Sequence, residues 1–559
     1  MADTCTTQCA QNMSRFGLNS QYAAIALVSA IGLFPLIVLF IGPKLVLYLG
    51  GTVGYYLRRK TAGRKSQILE LMEKDEKEYA AERHGRRDSD DWENVESYST
   101  GSATNGEKGD KEWDGIVGFF HPFCNAGGGG ERVLWAAIIA TQKRWPNAKC
   151  VVYTGDHDVD KTAILDRVKN RFNIHLYPPT VTFLYLSTRS WVLASSWPHF
   201  TLLGQSIGSL VLAWDAFSLL PPDIFVDTMG YAFASGFSKI LFKDVPTGSY
   251  VHYPTISTDM LSSLDPASPT GGQGVNASKG VGAGGKAKKI YWQLFAMLYS
   301  LVGASIDIVM TNSTWTQEHI NSLWGGWRKR FNKPVAVAVF PPVAVEELEK
   351  EVEVSAESEK KREKVLLYIA QFRPEKNHKL ILSAFSEFMA TKTPATKGAK
   401  LVLIGSVRDD GDSKRVYELR LLANELQIRD SVEFHLDAPW PNILEWLRRA
   451  SVGVNGMWNE HFGIGVVEYQ AAGLISVVHD SGGPKRDIVT PMDGKPTGFH
   501  ATTSAEFASG FEEALALPDK LAMRRRARRS AKRFTEEEFA KGWLREMERL
   551  VLLRLSKEH

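Results

Sequence analysis

Trp458-Asn459-Glu460-His461-Phe462-Gly463-Ile464-Gly465-Val466-Val467-Glu468 decides the fold. A short apolar strand is predicted to end near Val454, and a helix begins near Gly463. The polar residues between them therefore sit on a strand-to-helix loop, the edge at which parallel α/β sheets bind ligands. Glycines at 463 and 465 let the backbone approach a bound group closely. The amides of Phe462, Gly463 and Ile464 then lie at a helix start, whose partial positive charge suits a diphosphate. Glu460 stands in the loop and Glu468 inside the helix, so the two carboxylates lie at different depths. One is placed to reach a transferred sugar and the other a ribose. An ordinary solvent-facing helix carries glutamates at such spacing too, so the neighbouring motifs must decide.

Three further loops have the same strand–loop–helix setting. Gln371-Phe372-Arg373-Pro374-Glu375-Lys376-Asn377-His378-Lys379 follows an apolar strand and opens a helix. Arg373 and Lys376 there can neutralise a leaving diphosphate without a metal. His121 to Arg132 contains Gly127-Gly128-Gly129-Gly130, a tight turn whose N–H groups can face an anion. It is not a nucleotide-triphosphatase loop, because no Lys-Ser or Lys-Thr follows. Ser481-Gly482-Gly483-Pro484-Lys485-Arg486-Asp487 reads equally as a phosphate-facing turn or a plain surface turn. Asp156-His157-Asp158 has a spacing that can chelate a divalent ion. Arg373 and Lys376 already supply that positive charge, so metal-independent chemistry is the expectation.

Outside the motifs, short apolar runs alternate with amphipathic segments from Trp113 onward, the pattern of β-α-β units. One series of strands covers Gly115–Phe120, Cys150–Thr154, Val181–Leu186, Ile224–Thr228, Gly248–His252 and Ile306–Thr311. A second covers Val365–Ala370, Lys400–Ile404, Ser431–His435, Val452–Val454 and Ile475–Val478. Two series predict two doubly wound α/β domains, residues 113–345 and 346–533, with a last helix in 534–559 and a cleft between them. Ser262–Gly285, rich in Gly, Ser and Ala, reads as a surface loop.

Residues 1–65 read as a membrane anchor with a basic flank. Tyr22–Ile41 is 20 mostly apolar residues, enough to cross a bilayer core of about 30 Å. Arg58, Arg59, Lys60, Arg64 and Lys65 follow it and mark the cytosolic side. Residues 66–112 form a charged linker, with Gln67–Arg83 helical in character and Gly85–Lys111 too polar for a core. Four cysteines in 559 residues make no disulfide framework, and a net charge of +4 gives no footprint for nucleic acid. Lys286–Gly303 is basic and then aromatic, and Lys288, Lys289, Trp292 and Phe295 are its candidate contacts with an anionic membrane or a lipid-borne acceptor. A core helix has the same pattern.

Together the motifs resemble the family 4 glycosyltransferases of the GT-B fold: an E-x7-E element (Glu460, Glu468), an R-x-x-K element (Arg373, Lys376) and a glycine-rich first loop. More narrowly, HPFCNAGGGGERVLW, QFRPEKNH, NEHFGIGVVEYQAAG and SGGPKRDIV are similar to the endoplasmic-reticulum members that build dolichol-linked glycans. The resemblance implies GDP-mannose as donor, a dolichol-diphosphate-linked oligosaccharide as acceptor and retention of configuration. It also implies α-1,2 linkages of the fourth and fifth mannoses, and the basic flank after the span puts this transfer on the cytosolic face of the membrane. By position, Glu460, Lys376, Arg373 and His252 would be catalytic. Glu468, Phe462, Gly463, Ile464, Gly128, Gly129 and Gly130 would bind donor. Asp487 stands where relatives often carry Glu. Membrane lipid and other mannosyltransferases of the same pathway are the further partners expected. The rival readings are a UDP-sugar donor and a non-catalytic scaffold that binds lipid-linked glycan.

Overall fold

The computed structural model describes residues 41–85, 113–265, 267–268 and 282–557. The expected span Tyr22–Ile41, save Ile41, lies outside the described residues, as do Cys5, Cys9 and the polar half of the linker.

Seven parallel strands form the first sheet: β1 (Ile116–Phe120), β2 (Lys149–Thr154), β3 (Val181–Tyr185), β4 (Ile224–Asp227), β5 (Thr247–Val251), β6 (Ile308–Thr311) and β7 (Val337–Ala338). Their spatial order is β3-β2-β1-β4-β5-β6-β7. The second sheet holds β8 (Glu363–Ile369), β9 (Lys400–Gly405), β10 (Val432–Leu436), β11 (Ala450–Asn455), β12 (Ile475–His479) and β13 (Gly498–Ala501), in the order β10-β9-β8-β11-β12-β13. All pairings within both sheets are parallel. Every residue of β1, β4, β5, β11 and β12 is buried, because helices cover both faces of each sheet. Every strand read from the sequence is present. β7 and β13 were missed: β7 has two residues, and β13 (Gly-Phe-His-Ala) carries no apolar run.

The last helix, Glu536–Leu555, follows the second domain in sequence but packs on the first. Trp543, Met547 and Leu550 join the core around β1 and the helix Gly129–Arg144, and Trp543 Nε1 donates to Thr141 Oγ1 at 3.1 Å. Thr535 starts this helix by accepting from the Glu538 N–H.

One helix, Gly42–Gly85, runs 44 residues without a break at the boundary expected near residue 65. It docks on the first domain through close-approach glycines: a Cβ on Gly50 would lie 2.5 Å from Ile240, and one on Gly54 2.0 Å from the Leu241 carbonyl oxygen. Arg58 pairs with Asp244 at 2.6 Å and Lys65 with Asp223 at 3.3 Å. Part of the basic flank is thus spent on holding this helix to the domain. The expected loop Ser262–Gly285 is shorter than its sequence suggests, since one helix ends at Ser263 and the next, Gly282–Gly303, begins inside it.

Among the described residues one helix, Thr201–Leu219, is long and apolar enough to cross a membrane by composition, and 44% of its most apolar 18-residue stretch is buried. Leu212, Ala213, Ala216 and Phe217 face the core, while Leu203, Ile207 and Trp214 are exposed. The readings of Trp292 and Phe295 as membrane contacts are corrected. Both are buried, 7% and 3% exposed, in the core with Tyr299 and Trp324. The helical phase instead turns Ile290, Leu294, Met297, Leu298 and Leu301 outward. Lys289 pairs with Asp265 at 3.3 Å, and Lys288 lies over the Trp292 ring.

Candidate active site

The carboxyl ends of the strands in both sheets carry the motif loops. Since β8 and β11 are hydrogen-bonded neighbours, the loop after each lies beside the other. That adjacency puts Lys376 Nζ 2.5 Å from Glu460 Oε2. Asn455 Nδ2 donates to the same oxygen at 3.4 Å, and Lys376 Nζ also reaches Met457 Sδ at 3.1 Å. Burial works to raise the Glu460 carboxyl, but the Lys376 charge and hydrogen bond, with help from His461 and Asn455, hold it below the usual carboxylate range. Glu460 is therefore ionised and Lys376 is anchored. Arg373, three residues earlier, pairs with no carboxylate among the described residues, and its buried Nε has no hydrogen-bond partner there. One cation is thus held in place while the other remains available to an anion.

Gly463 caps the helix Ile464–Ala471 with φ +107, a conformation that favours glycine. The Phe462 ring points away from the cleft and packs against Phe340 and Phe534, so only its backbone can meet a donor. The N–H groups of Gly463, Ile464 and Gly465 make no hydrogen bond among the described residues, as the first turn of a helix requires unless something caps it. Directly opposite lies the glycine-rich loop of the first domain. A Cβ on Gly129 would come within 2.5 Å of Ile464 Cδ1, so the two domains meet closely here and a side chain at 129 would displace the Ile464 methyl. A Cβ on Gly130 would lie 3.7 Å from His252 Nε2, so this loop also covers that histidine. The Gly128 N–H donates to the Glu131 carboxylate, which lies 3.6 Å from His121 Nε2. His121 Nδ1 in turn contacts Thr228 Oγ1 at 2.8 Å.

His252 Nε2 donates to the Thr228 carbonyl at 3.0 Å, which fixes its tautomer. Burial, with His121 adding to it, pushes His252 down to about 4, so the ring is neutral. Glu468 is half-buried and makes no side-chain hydrogen bond among the described residues. Burial pushes its carboxyl up to about 7, against the pull of Arg132 and Arg171 from the first domain.

Two sequence readings change. Gly482 and Gly483 do not simply face a phosphate, because they clamp the Glu460 backbone. The Gly483 N–H donates to the Glu460 carbonyl at 2.8 Å, and a Cβ on Gly482 would sit 2.3 Å from that oxygen. Asp487 accepts from the Thr314 N–H at 2.9 Å across the domains. The Asp156 carboxylate, half of the candidate chelate, is occupied by Arg189, the Asn125 N–H and the Thr154 hydroxyl. No cluster of three metal-ligating side chains occurs among the described residues. His121, Glu131, Asp259, Tyr253, Trp315 and His461 had no role in the sequence reading. Apart from Glu131, whose partners Gly128 and His121 lie in its own motif, their contacts join segments far apart in the chain, which no motif spacing displays.

Comparison with known proteins identifies the family and the fold. Residues 114–324 match the family model described as ALG11 mannosyltransferase N-terminus, and 349–534 match Glycosyl transferases group 1. A Neurospora crassa protein named GDP-Man:Man(3)GlcNAc(2)-PP-Dol alpha-1,2-mannosyltransferase is 70% identical, over 95% of this chain and 97% of that relative. A Mus musculus protein of the same name is 45% identical over 78% of this chain and 87% of its own. Among solved structures, a UDP-forming trehalose-phosphate synthase from Burkholderia xenovorans superposes with a TM-score of 0.55 at 12% identity. It covers 78% of this chain and 99% of its own, and shows a shared two-domain fold.

Proposed function

Because this chain belongs to the ALG11 mannosyltransferase family, we propose that it moves mannose from GDP-mannose onto a dolichol-diphosphate-linked oligosaccharide, forming α-1,2 linkages. The acceptor in the relatives' name carries three mannoses, so the additions are the fourth and then the fifth. Configuration at the mannose is retained. The observation that carries the reading is the Lys376–Glu460 pair beside a helix start that the glycine-rich loop faces at Gly129 and Ile464.

In this arrangement the diphosphate lies on the N–H groups at Gly463–Gly465, with Arg373 and Lys376 along its other side. Charge builds on the β-phosphate as the glycosidic bond breaks, and preorganised cations and amides in a dry cleft stabilise it without reorganising. Glu460 keeps Lys376 in position and, being ionised, can accept from mannose hydroxyls. Glu468 takes the ribose hydroxyls. His252, neutral and tied to Thr228, lines the sugar side without carrying charge. Catalysis runs without a divalent metal, since the two side-chain cations do its electrostatic work.

The acceptor reaches the cleft from a bilayer. Exposed Leu45, Val46 and Leu49 on the helix Gly42–Gly85 support membrane contact on this half of the molecule. Ile290, Leu294, Met297 and Leu301 support it on the helix Gly282–Gly303. The body faces the cytosol at the endoplasmic-reticulum membrane. Purified full-length protein, incubated with GDP-mannose and lipid-linked trimannosyl acceptor in excess chelator, should yield product that α-1,2-mannosidase trims back. Transfer from UDP-sugars instead, or strict Mn2+ dependence, would refute the donor or the metal-free chemistry. A carboxyl terminus protected inside sealed microsomes would refute the orientation.

A further inference from the structure

The residues on either side of Glu460 are held by the other domain. Asn459 has φ +52 and donates from Nδ2 to Asp259 Oδ2 at 2.6 Å, and Asp259 belongs to the first domain, after β5. Asp259 is itself oriented: His319 Nε2 lies 3.3 Å from the same oxygen, and His319 Nδ1 contacts Thr258 Oγ1 at 2.7 Å. On the far side of Glu460, the His461 ring stacks on Tyr253 at 4.0 Å and lies 5.5 Å from Trp315. Both aromatic rings belong to the first domain. Within its own domain the same loop is fixed by the Asn459 N–H donating to Ser481 Oγ at 2.7 Å, and by the Gly483 bond to the Glu460 carbonyl.

A loop that carries an ionised carboxylate is thus pinned twice by its own sheet and twice by the opposing one. When the cleft opens, the Asp259–Asn459 bond and the His461 stack must break together, while the Lys376–Glu460 pair, lying inside one domain, need not. We infer that Asp259, oriented by His319 and Thr258, is a positioning residue that holds the Glu460 loop in its working conformation only when the two domains are closed. Tyr253 and Trp315 provide the slot that receives His461 in the same movement. Arg373, Lys376 and Glu468 all belong to the second domain, and neither Asp259 nor Asn459 is among the donor-binding groups, so the latch acts on turnover more than on donor affinity. This inference rests on the proposed role of Glu460 in transfer.

The test compares Asp259→Ala, the reciprocal exchange Asp259→Asn with Asn459→Asp, and Glu318→Gln. The last variant breaks a half-exposed interdomain pair with Arg486 (3.0 Å) and serves as a control for domain contact in general. The expected result for Asp259→Ala is a fall in kcat of roughly tenfold or more, as a misplaced catalytic group costs. GDP affinity and melting temperature stay at wild-type values. The exchange variant recovers most of the loss, and Glu318→Gln stays within about twofold of wild type, as an exposed pair should. Hydrogen exchange on the ligand-free protein supplies a readout apart from activity. Amides of 459–463 should exchange faster in Asp259→Ala and not in Glu318→Gln. Unchanged kcat and exchange in Asp259→Ala, or no recovery in the reciprocal variant, would overturn the latch. Wild-type protein that transfers no mannose would overturn the functional reading, and the exchange data would still decide whether Asp259 holds the loop.

Discussion

The two halves of the molecule use one architecture for different tasks. The second domain displays its chemistry on two neighbouring loops, after β8 and β11, where Arg373, Lys376 and Glu460 fall within short stretches of sequence. The first domain presents a glycine-rich loop with Glu131, neutral His252 and the carboxylate of Asp259, with Arg132 and Arg171 acting on Glu468 by charge and not by a hydrogen bond. It carries instead a concentration of exposed apolar side chains, among them Trp191, Phe200, Ile207, Trp214, Leu294 and Met297. A soluble nucleotide sugar needs fixed charges, whereas an acceptor on a lipid needs a domain that can approach a membrane and close over a cleft. If this division holds, damage to the second domain should be severe and localised to donor chemistry. Damage to the first should be graded and dependent on the acceptor.

The largest effect is expected from Lys376→Ala. It removes a cation from the leaving diphosphate and leaves the buried carboxylate of Glu460 without its 2.5 Å partner. Loss of one preorganised donor costs about 10²–10³ in kcat, so a drop on the order of 10³ is the expectation in a transfer assay. A Lys376→Ala enzyme within tenfold of wild type would mean that Arg373 and the helix start suffice. Next comes Glu468→Ala. A hydrogen bond to a charged group contributes about 1.5–3 kcal/mol, which corresponds to a rise in donor KM of roughly 10–150-fold. The change in kcat should be much smaller. Parallel losses in kcat and KM would move Glu468 from ribose binding to the reacting centre.

The same contrast explains what the sequence made legible. Glu460 and Lys376 were readable because each belongs to a strand–loop–helix string whose geometry follows from periodicity. Their contact could be anticipated once adjacent strands were assumed. The Asp259–Asn459 bond joins residues 200 positions apart and depends on how two domains meet, which periodicity does not encode. Trp292 and Phe295 illustrate a different limit. Composition marked their helix as amphipathic and basic, but both faces of it are apolar, and only packing reveals that the aromatics turn inward and Leu294 and Met297 outward. The helix Gly42–Gly85 was split at its basic flank because charge changes there, although the backbone continues straight through.

A pH experiment sharpens the account of the second domain. Burial raises the Glu468 carboxyl to about 7, above its value in an unfolded chain. The unfolded state therefore loses its proton first, and this group's contribution to stability declines as pH rises toward 7 and is constant above it. Donor binding runs the other way, because ribose hydroxyls donate best to the ionised form. Between about pH 8 and pH 6 the ionised fraction falls roughly tenfold, so KM for GDP-mannose should rise by up to about that factor. Glu468→Gln should flatten the profile, and a slope that persists in that variant would assign the titration to another group.

The smallest effect concerns the first domain's exposed helix. Leu294 and Met297 are 62% and 69% exposed, and no described residue covers them. Replacing both with glutamate leaves the core around Trp292 and Phe295 intact, so melting temperature should not move. At a bilayer, however, the two carboxylates would sit where lipid is expected, and their desolvation would tilt the cleft away from the membrane. Activity on a long-chain dolichol acceptor in vesicles should fall about three- to fivefold, a modest loss because the helix Gly42–Gly85 offers further apolar contact. Activity on a short-chain acceptor in detergent should be unchanged. The ratio of the two rates is the informative quantity. A ratio equal to that of wild type would place the membrane against another face, and an equal loss on both acceptors would mean that this helix serves the cleft itself and not the approach to the lipid.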